Sequence, residues 1–155
     1  MQEKIILPNS FISIAEEELK AGKSIKLLAD GASMYPFIRG GKDIVEIHPI
    51  NGNEPLQKGE IYLFNNKGRY NIHRLIGEDN GKFVMMGDGN RGVVEKVGKN
   101  DVIGIVRRIH RDGGTVIDCS SSLWKAKSRI WVVMRPVRRY LLAAIRRLYR
   151  YGIIR

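Results

Sequence analysis

The stretch Glu60-Ile61-Tyr62-Leu63-Phe64, followed by Asn66-Lys67-Gly68 and then Tyr70-Asn71-Ile72-His73-Arg74-Leu75-Ile76, decides the reading of the chain. Two apolar or alternating runs flank residues that favour a tight reversal, which predicts a β-hairpin. Further runs of the same kind lie on either side, at 24–28, 43–47, 82–86, 102–110 and 115–119. Turn signals separate them: Gly40-Gly41, Asn51-Gly52-Asn53, Asp79-Asn80-Gly81 and Asp112-Gly113-Gly114. Many short strands with such turns predict a β sandwich or barrel over residues 24–118. No internal repeat and no low-complexity stretch interrupts it.

The two ends read differently. Residues 9–22 predict a helix, with Asn9 or Ser10 as cap, Phe11, Ile14, Ala15 and Leu19 on one face, and Gly22 as the stop. Residues 120–155 predict a helical appendage: Ser120-Ser121-Ser122 cap a helix running through Trp124 to Met134, Pro136 breaks it or starts another, and Gly152 ends the second. In that second helix Met134, Val137, Leu141, Ile145 and Leu148 share one face, and Arg135, Arg139, Arg146 and Arg150 the other. The chain thus divides into a β domain with its N-terminal helix, 1–119, and a basic amphipathic tail, 120–155. The net charge of +11 belongs to the tail, because ten Lys/Arg and no acid lie beyond residue 119.

An apolar content of 43% in 155 residues suffices for one cored domain and excludes a disordered chain. The single cysteine, Cys119, permits no internal disulfide and fits a reducing compartment. The N-terminal apolar run is too short for a signal peptide, and no window approaches the roughly 20 apolar residues of a membrane span. A cytoplasmic protein, soluble or peripheral to a membrane, is expected.

Three motifs carry candidate chemistry. Gly31-Ala32-Ser33-Met34-Tyr35-Pro36 follows an apolar strand, so Ser33 sits where a hydroxyl can be presented at a strand exit. In Asn71-Ile72-His73-Arg74-Leu75, alternation puts Ile72 and Arg74 on one face and Asn71, His73 and Leu75 on the other. Met86-Gly87-Asp88-Gly89-Asn90-Arg91-Gly92 is turn-forming, too poor in carboxylates for a calcium loop, and offers Asp88 as acceptor for Arg74 or for an imidazole.

The order of the blocks Gly-x-Ser-Met-x-Pro, Gly41-Lys42-Asp43-Ile44-Val45, Lys58-Gly59-Glu60-Ile61-Tyr62, His73-Arg74-x-Ile76-Gly77, Gly87-Asp88-x-Asn90 and Ile103-Gly104-x-Val106 resembles the signal-peptidase and LexA-like serine peptidase superfamily over residues 24–110. The histidine followed by arginine is similar to its histidine-base branch. The helix ahead of the serine is similar to small soluble members linked to bacterial peptide maturation. The resemblance implies a mainly β, LexA- or signal-peptidase-like antiparallel domain with its site in an open groove. It implies Ser33 as nucleophile, His73 as general base and Asp88 as the acid that orients the base. Met34, Pro36 and Arg74 become structural or substrate-groove residues. No metal and no organic cofactor is implied, and the substrate is a peptide or protein leader bound as an extended strand.

Departures accompany the resemblance. Gly31 offers no side-chain hydroxyl to an oxyanion hole, Gly-Lys-Asp stands for the usual Gly-Asp, and Gly-Asp-Gly-Asn for Gly-Asp-Asn. No second aspartate follows Asp88 closely; Glu95 is the nearest carboxylate and is assigned no role. The chemistry is consistent with the roles: a serine needs a base to remove its proton, and a neutral histidine supplies one near pH 7. The rival expectations are a peptide-binding scaffold of the same fold without catalysis, and a self-cleaving regulator. The tail, with Trp124, Trp131 and Tyr140 beside arginines, suits either peripheral contact with an anionic membrane or packing on the β domain. Nucleic acid is the least favoured partner, since no DNA-binding motif precedes the peptidase-like segment.

Overall fold

Hairpin turns set the register of the sheet. Lys67 and Gly68 between the central strands both have positive φ, 52° and 84°, and Asn80 and Gly81 in the next turn have 50° and 73°. Two positive-φ residues are what a two-residue turn matched to strand twist requires. The computed structural model describes residues 5, 6 and 12–152. Residues 9–11 of the expected N-terminal helix, the stretch read as lacking a signal peptide apart from 5 and 6, and Arg155 of the basic tail lie outside the described residues.

Among the described residues nine strands form one sheet: β1 (Ile5–Ile6), β2 (Ile25–Leu28), β3 (Ile44–Pro49), β4 (Ile61–Asn66), β5 (Arg69–Asp79), β6 (Lys82–Met86), β7 (Glu95–Val97), β8 (Val102–His110) and β9 (Val116–Asp118). Their order is β1-β2-β3-β8-β4-β5-β6-β7, with β9 pairing β8. Every pairing is antiparallel except β1 with β2. Bulges at Glu46/Ile47, Leu63/Phe64 and Leu75/Gly77 bend the strands. The bending brings β7 back toward β4: Asn66 Nδ2 of β4 donates to Glu95 Oε1 of β7 at 3.3 Å, although two strands separate them in the sheet. The outcome is a mainly antiparallel sheet curled into a partial barrel. Strands β1 and β7 were not expected from the sequence; both are too short to show alternation.

Alternation assigns side chains to the two faces. Leu63 joins Ile47, Ile61, Val106 and Ile109 in the larger core, which Ala15 and Leu19 of helix α1 (Ile12–Lys20) and Trp124 of helix α2 (Ser122–Val133) complete. Tyr62 and Phe64 join Leu75, Met85, Val97, Val102 and Ile105 in a second core on the curled face. Ser121 caps α2, its Oγ accepting from the Trp124 N–H at 3.3 Å. A 3₁₀ turn at Arg135–Val137 contains Pro136 and leads into helix α3 (Arg138–Arg150), which Gly152, with φ 66°, follows.

The basic segment packs on the β domain. Ile76, Met86 and Val132 form a third cluster joining β5 and β6 to α2, and Phe37 sets its ring edge-on to Trp124 and Trp131 at 5.4 and 5.3 Å. Of the apolar face read in the second helix, Met134, Leu141 and Ile145 are half-buried. Arg138 and Leu142 are the buried residues of α3, whereas Val137 and Leu148 are exposed. The Arg138 guanidinium lies 5.0 Å from the Trp131 ring centre and donates to the Trp131 carbonyl at 3.1 Å. Aromatic stacking and a backbone acceptor explain how an arginine takes an inward position. Burial pushes its pKa below the usual arginine range, against the pull of Asp88. Among the described residues no helix is long and apolar enough to cross a membrane.

Two expectations follow. Asp43 is fully buried and accepts from the Arg39 N–H, Nε and Nη2 at 2.7, 3.1 and 2.9 Å and from Arg111 Nη1. Asp43→Ala strands two guanidinium groups and should cost about 3–5 kcal/mol in urea unfolding. Burial pushes the Cys119 thiol up to about 12. It should therefore resist iodoacetamide at mildly alkaline pH in the native protein and react once unfolded, as intact mass would show.

Candidate active site

His73 stands on β5, opposite Tyr62 of β4, with its ring centre 5.8 Å from that of Phe64. Alternation turns Asn71 and His73 toward the curled face, and there both meet Glu95 of β7. His73 Nδ1 is 2.7 Å from Glu95 Oε2, and Asn71 Nδ2 donates to Glu95 Oε1 at 2.8 Å. With the Asn66 amide, the carboxylate has three side-chain partners. The side chains of His73 and Glu95 retain only 10% and 19% exposure, so the contact is sheltered from water without being sealed. An imidazole whose Nδ1–H donates to a carboxylate carries its free lone pair on Nε2. Nε2 has no hydrogen-bond partner among the described residues.

Arg74, the next residue, points the other way and is fully buried. Its Nε and Nη2 donate to Asp88 Oδ1 and Oδ2 at 2.8 and 2.7 Å, and its Nη1 donates to the Gly59 carbonyl at 2.6 Å and to Ser128 Oγ at 2.7 Å. The guanidinium carbon sits 4.7 Å from the centre of the Phe37 ring. Asp88, equally buried, thus gives both oxygens to Arg74. Of the two partners open to Asp88 in the sequence, Arg74 and an imidazole, the structure gives it Arg74. Glu95 holds the imidazole, and Asp88 anchors the loop in which it stands.

That loop supports the serine. Gly89 N–H donates to the Ser33 carbonyl at 2.7 Å. A Cβ on Gly87 would lie 2.4 Å from the Ser33 carbonyl oxygen, and one on Gly89 would lie 2.6 Å from that of Ala32. Only glycine permits so close an approach of two backbones. Arg74 pairs with Met86 in the β5–β6 ladder, and one step past that pair along the two strands lie His73 and Gly87. The Gly87–Gly89 backbone that supports Ser33 thus follows directly on the β5–β6 pairing next to His73. Ser33 itself is half-buried, and among the described residues its Oγ and its N–H take no hydrogen bond, including from His73.

The other candidates divide. Met34 is buried in the larger core and Arg74 is sealed in its network, so both are structural and do not line a groove. Pro36 follows a cis peptide bond and lines, with Phe37, Ile117, Leu123 and Trp124, an open cleft of about 380 Å³. Tyr35 meets Tyr149 of α3 edge-on at 5.7 Å, and burial, with Tyr149 beside it, pushes its hydroxyl up to about 12. Among the described residues no three His, Cys, Asp or Glu side chains are grouped to hold a metal ion. The one signal that pointed to Glu95 in the sequence was its being the only carboxylate between Asp88 and Asp101.

No protein-family model matches the chain, and no curated protein matches it in sequence.

The two carboxylates should fail in different ways. Asp88→Ala leaves a buried guanidinium without its ion partner and should lower stability by about 3–5 kcal/mol. Glu95→Gln removes a charge at a partly exposed site and should leave the urea midpoint nearly unchanged while altering the His73 ring-nitrogen NMR shifts.

Proposed function

We propose that the protein is a serine peptidase acting on extended peptide or leader substrates, with Ser33 as nucleophile, His73 as general base and Glu95 as the group that orients it. The observation that carries this reading is the 2.7 Å contact between His73 Nδ1 and Glu95, which fixes the ring and, in the neutral tautomer with Nδ1–H donating, makes Nε2 the free acceptor. Such a base takes the Ser33 hydroxyl proton as Oγ attacks the scissile carbonyl. The resulting tetrahedral oxyanion would be met by the Ser33 N–H, which no described residue occupies. His73 then returns the proton to the departing amine, leaving an acyl-serine, and a water activated in the same way releases the acid and restores the hydroxyl.

The ordered motifs between residues 24 and 110, and the mainly antiparallel sheet, support a place in the histidine-base branch of the signal-peptidase and LexA-like superfamily. A second reading is a peptide-binding protein of the same fold without turnover, and the missing Ser33–His73 hydrogen bond favours it. Catalytic hydrogen bonds commonly tighten only when substrate is bound, so the open geometry is compatible with the first reading as well.

Ser33→Ala should abolish cleavage of a peptide library by the full chain, with an unchanged circular dichroism spectrum. Glu95→Gln should reduce kcat by about 10²–10⁴. A fluorophosphonate probe should add its mass at Ser33 in the native protein and not in His73→Ala. Wild-type protein that binds library peptides, forms no product and takes no probe would overturn the peptidase reading in favour of the binding one.

A further inference from the structure

The outward side of the basic segment carries an apolar stripe that nothing in the chain covers among the described residues. Ile130, Val133, Val137 and Tyr140 are 59%, 78%, 47% and 61% exposed. Ile130 and Val133, three residues apart, share a face of α2, and Val137 and Tyr140 stand at the turn and at the start of α3 that follow it. Exposed branched aliphatics so placed mark a surface that has a partner. Exposed Lys127, Arg129, Arg135, Arg139, Arg146 and Arg147 flank them. No acid occurs after Asp118, so the partner that complements this face is anionic.

A cleft of about 560 Å³ opens beside the stripe. Arg91, Arg135, Arg138 and Arg139 line it together with Val132 and Pro136, and its lining includes no carboxylate. Buried Arg138 has one donor, Nε, with no partner among the described residues. A phosphate-bearing group would supply acceptors for these guanidinium groups.

We propose that the α2–α3 face docks on an anionic lipid bilayer, with Ile130, Val133, Val137 and Tyr140 entering the interface and a lipid phosphate seated in the arginine-lined cleft. The reading requires both features together. A free anion has no use for the aliphatic stripe, and a neutral apolar partner has none for the arginines. Asn90, which also lines the cleft, belongs to the loop that supports Ser33, and Met86 ends the strand that leads into it. Docking would thus hold the candidate peptidase site close to a membrane surface. It does not depend on that site being active.

The test is co-sedimentation of the full chain with vesicles of phosphatidylcholine, with and without phosphatidylglycerol, at low and high salt. Binding is expected only with phosphatidylglycerol and should weaken as salt rises. Neutralising Arg135, Arg139 and Arg146 to Gln should reduce partitioning about a hundredfold, at about fivefold per basic residue. Val133→Asp, at an exposed position that leaves the fold unstrained, should reduce it about tenfold or more. An environment-sensitive dye on Val133→Cys should shift to the blue on phosphatidylglycerol vesicles. Vesicle binding unchanged in Val133→Asp would overturn the proposal. So would binding of inorganic phosphate or duplex DNA without any vesicle binding. A dimer in sedimentation equilibrium that Ile130→Asp dissociates, with no partitioning, would assign the stripe to a second copy instead. Ser33→Ala should bind vesicles as wild type does, which separates this outcome from that of the peptidase assays.

Discussion

A charged group in a fully buried position is tolerated only when nearly every donor and acceptor around it is satisfied, and Arg74 meets that condition. Its planar fork fits both oxygens of Asp88, and its remaining donors reach a backbone carbonyl at the entry to β4 and a serine on α2. Phe37 and Trp124 cover the guanidinium at 4.7 and 6.0 Å. One side chain thereby joins the strand that bears His73, the loop that supports Ser33, the start of the neighbouring strand and the first helix of the basic segment. A lysine could not replace it, since a single ammonium presents no fork and stacks poorly on the ring. The polar network is costly to break at any one point because each partner would be left buried and unpaired.

The same network shows why the basic segment is not a detached appendage. Ser128 reaches inward to Arg74, Trp124 enters the larger core, and Arg138 lies over Trp131 beneath the start of α3. Composition changes abruptly at residue 120, yet packing continues across it. The charge asymmetry is a property of the outer helix faces, while the inner faces are built from aromatic rings, Ser128 and one buried cation, Arg138.

The hairpin-rich part of the chain was legible because its strands alternate and its turns contain residues suited to positive φ. The strands at Lys82–Met86 and Val102–His110 match the runs read from sequence residue for residue. The N-cap region of α2 was legible from its serine cluster. Glu95 was not. It lies on a three-residue strand after exposed Val93 and Val94, where no periodicity can develop, and its meeting with His73 depends on a curl produced by bulges. The inward turn of Arg138 was hidden for a different reason: an arginine in a basic run looks like its neighbours until a tryptophan is found beneath it. Asp88 illustrates a third limit. Its partner was open between the guanidinium and the imidazole, and only the sheet's two faces decide between them, because Arg74 and His73 point in opposite directions.

Strand β7 is short and pairs with β6 alone, yet it carries the carboxylate that holds the imidazole. Such peripheral strands open more often than the cores beneath them, through fluctuations that leave the rest of the molecule intact. Each opening would free the His73 ring to rotate and to change tautomer, with no loss of global fold. The fraction of molecules with the imidazole held in place is then governed by a local equilibrium at Glu95–Val97 and not by the overall free energy of unfolding. Agents that clamp that edge, including a peptide laid along it, would raise this fraction, so that occupancy of the edge and order of the His73 ring become one linked equilibrium.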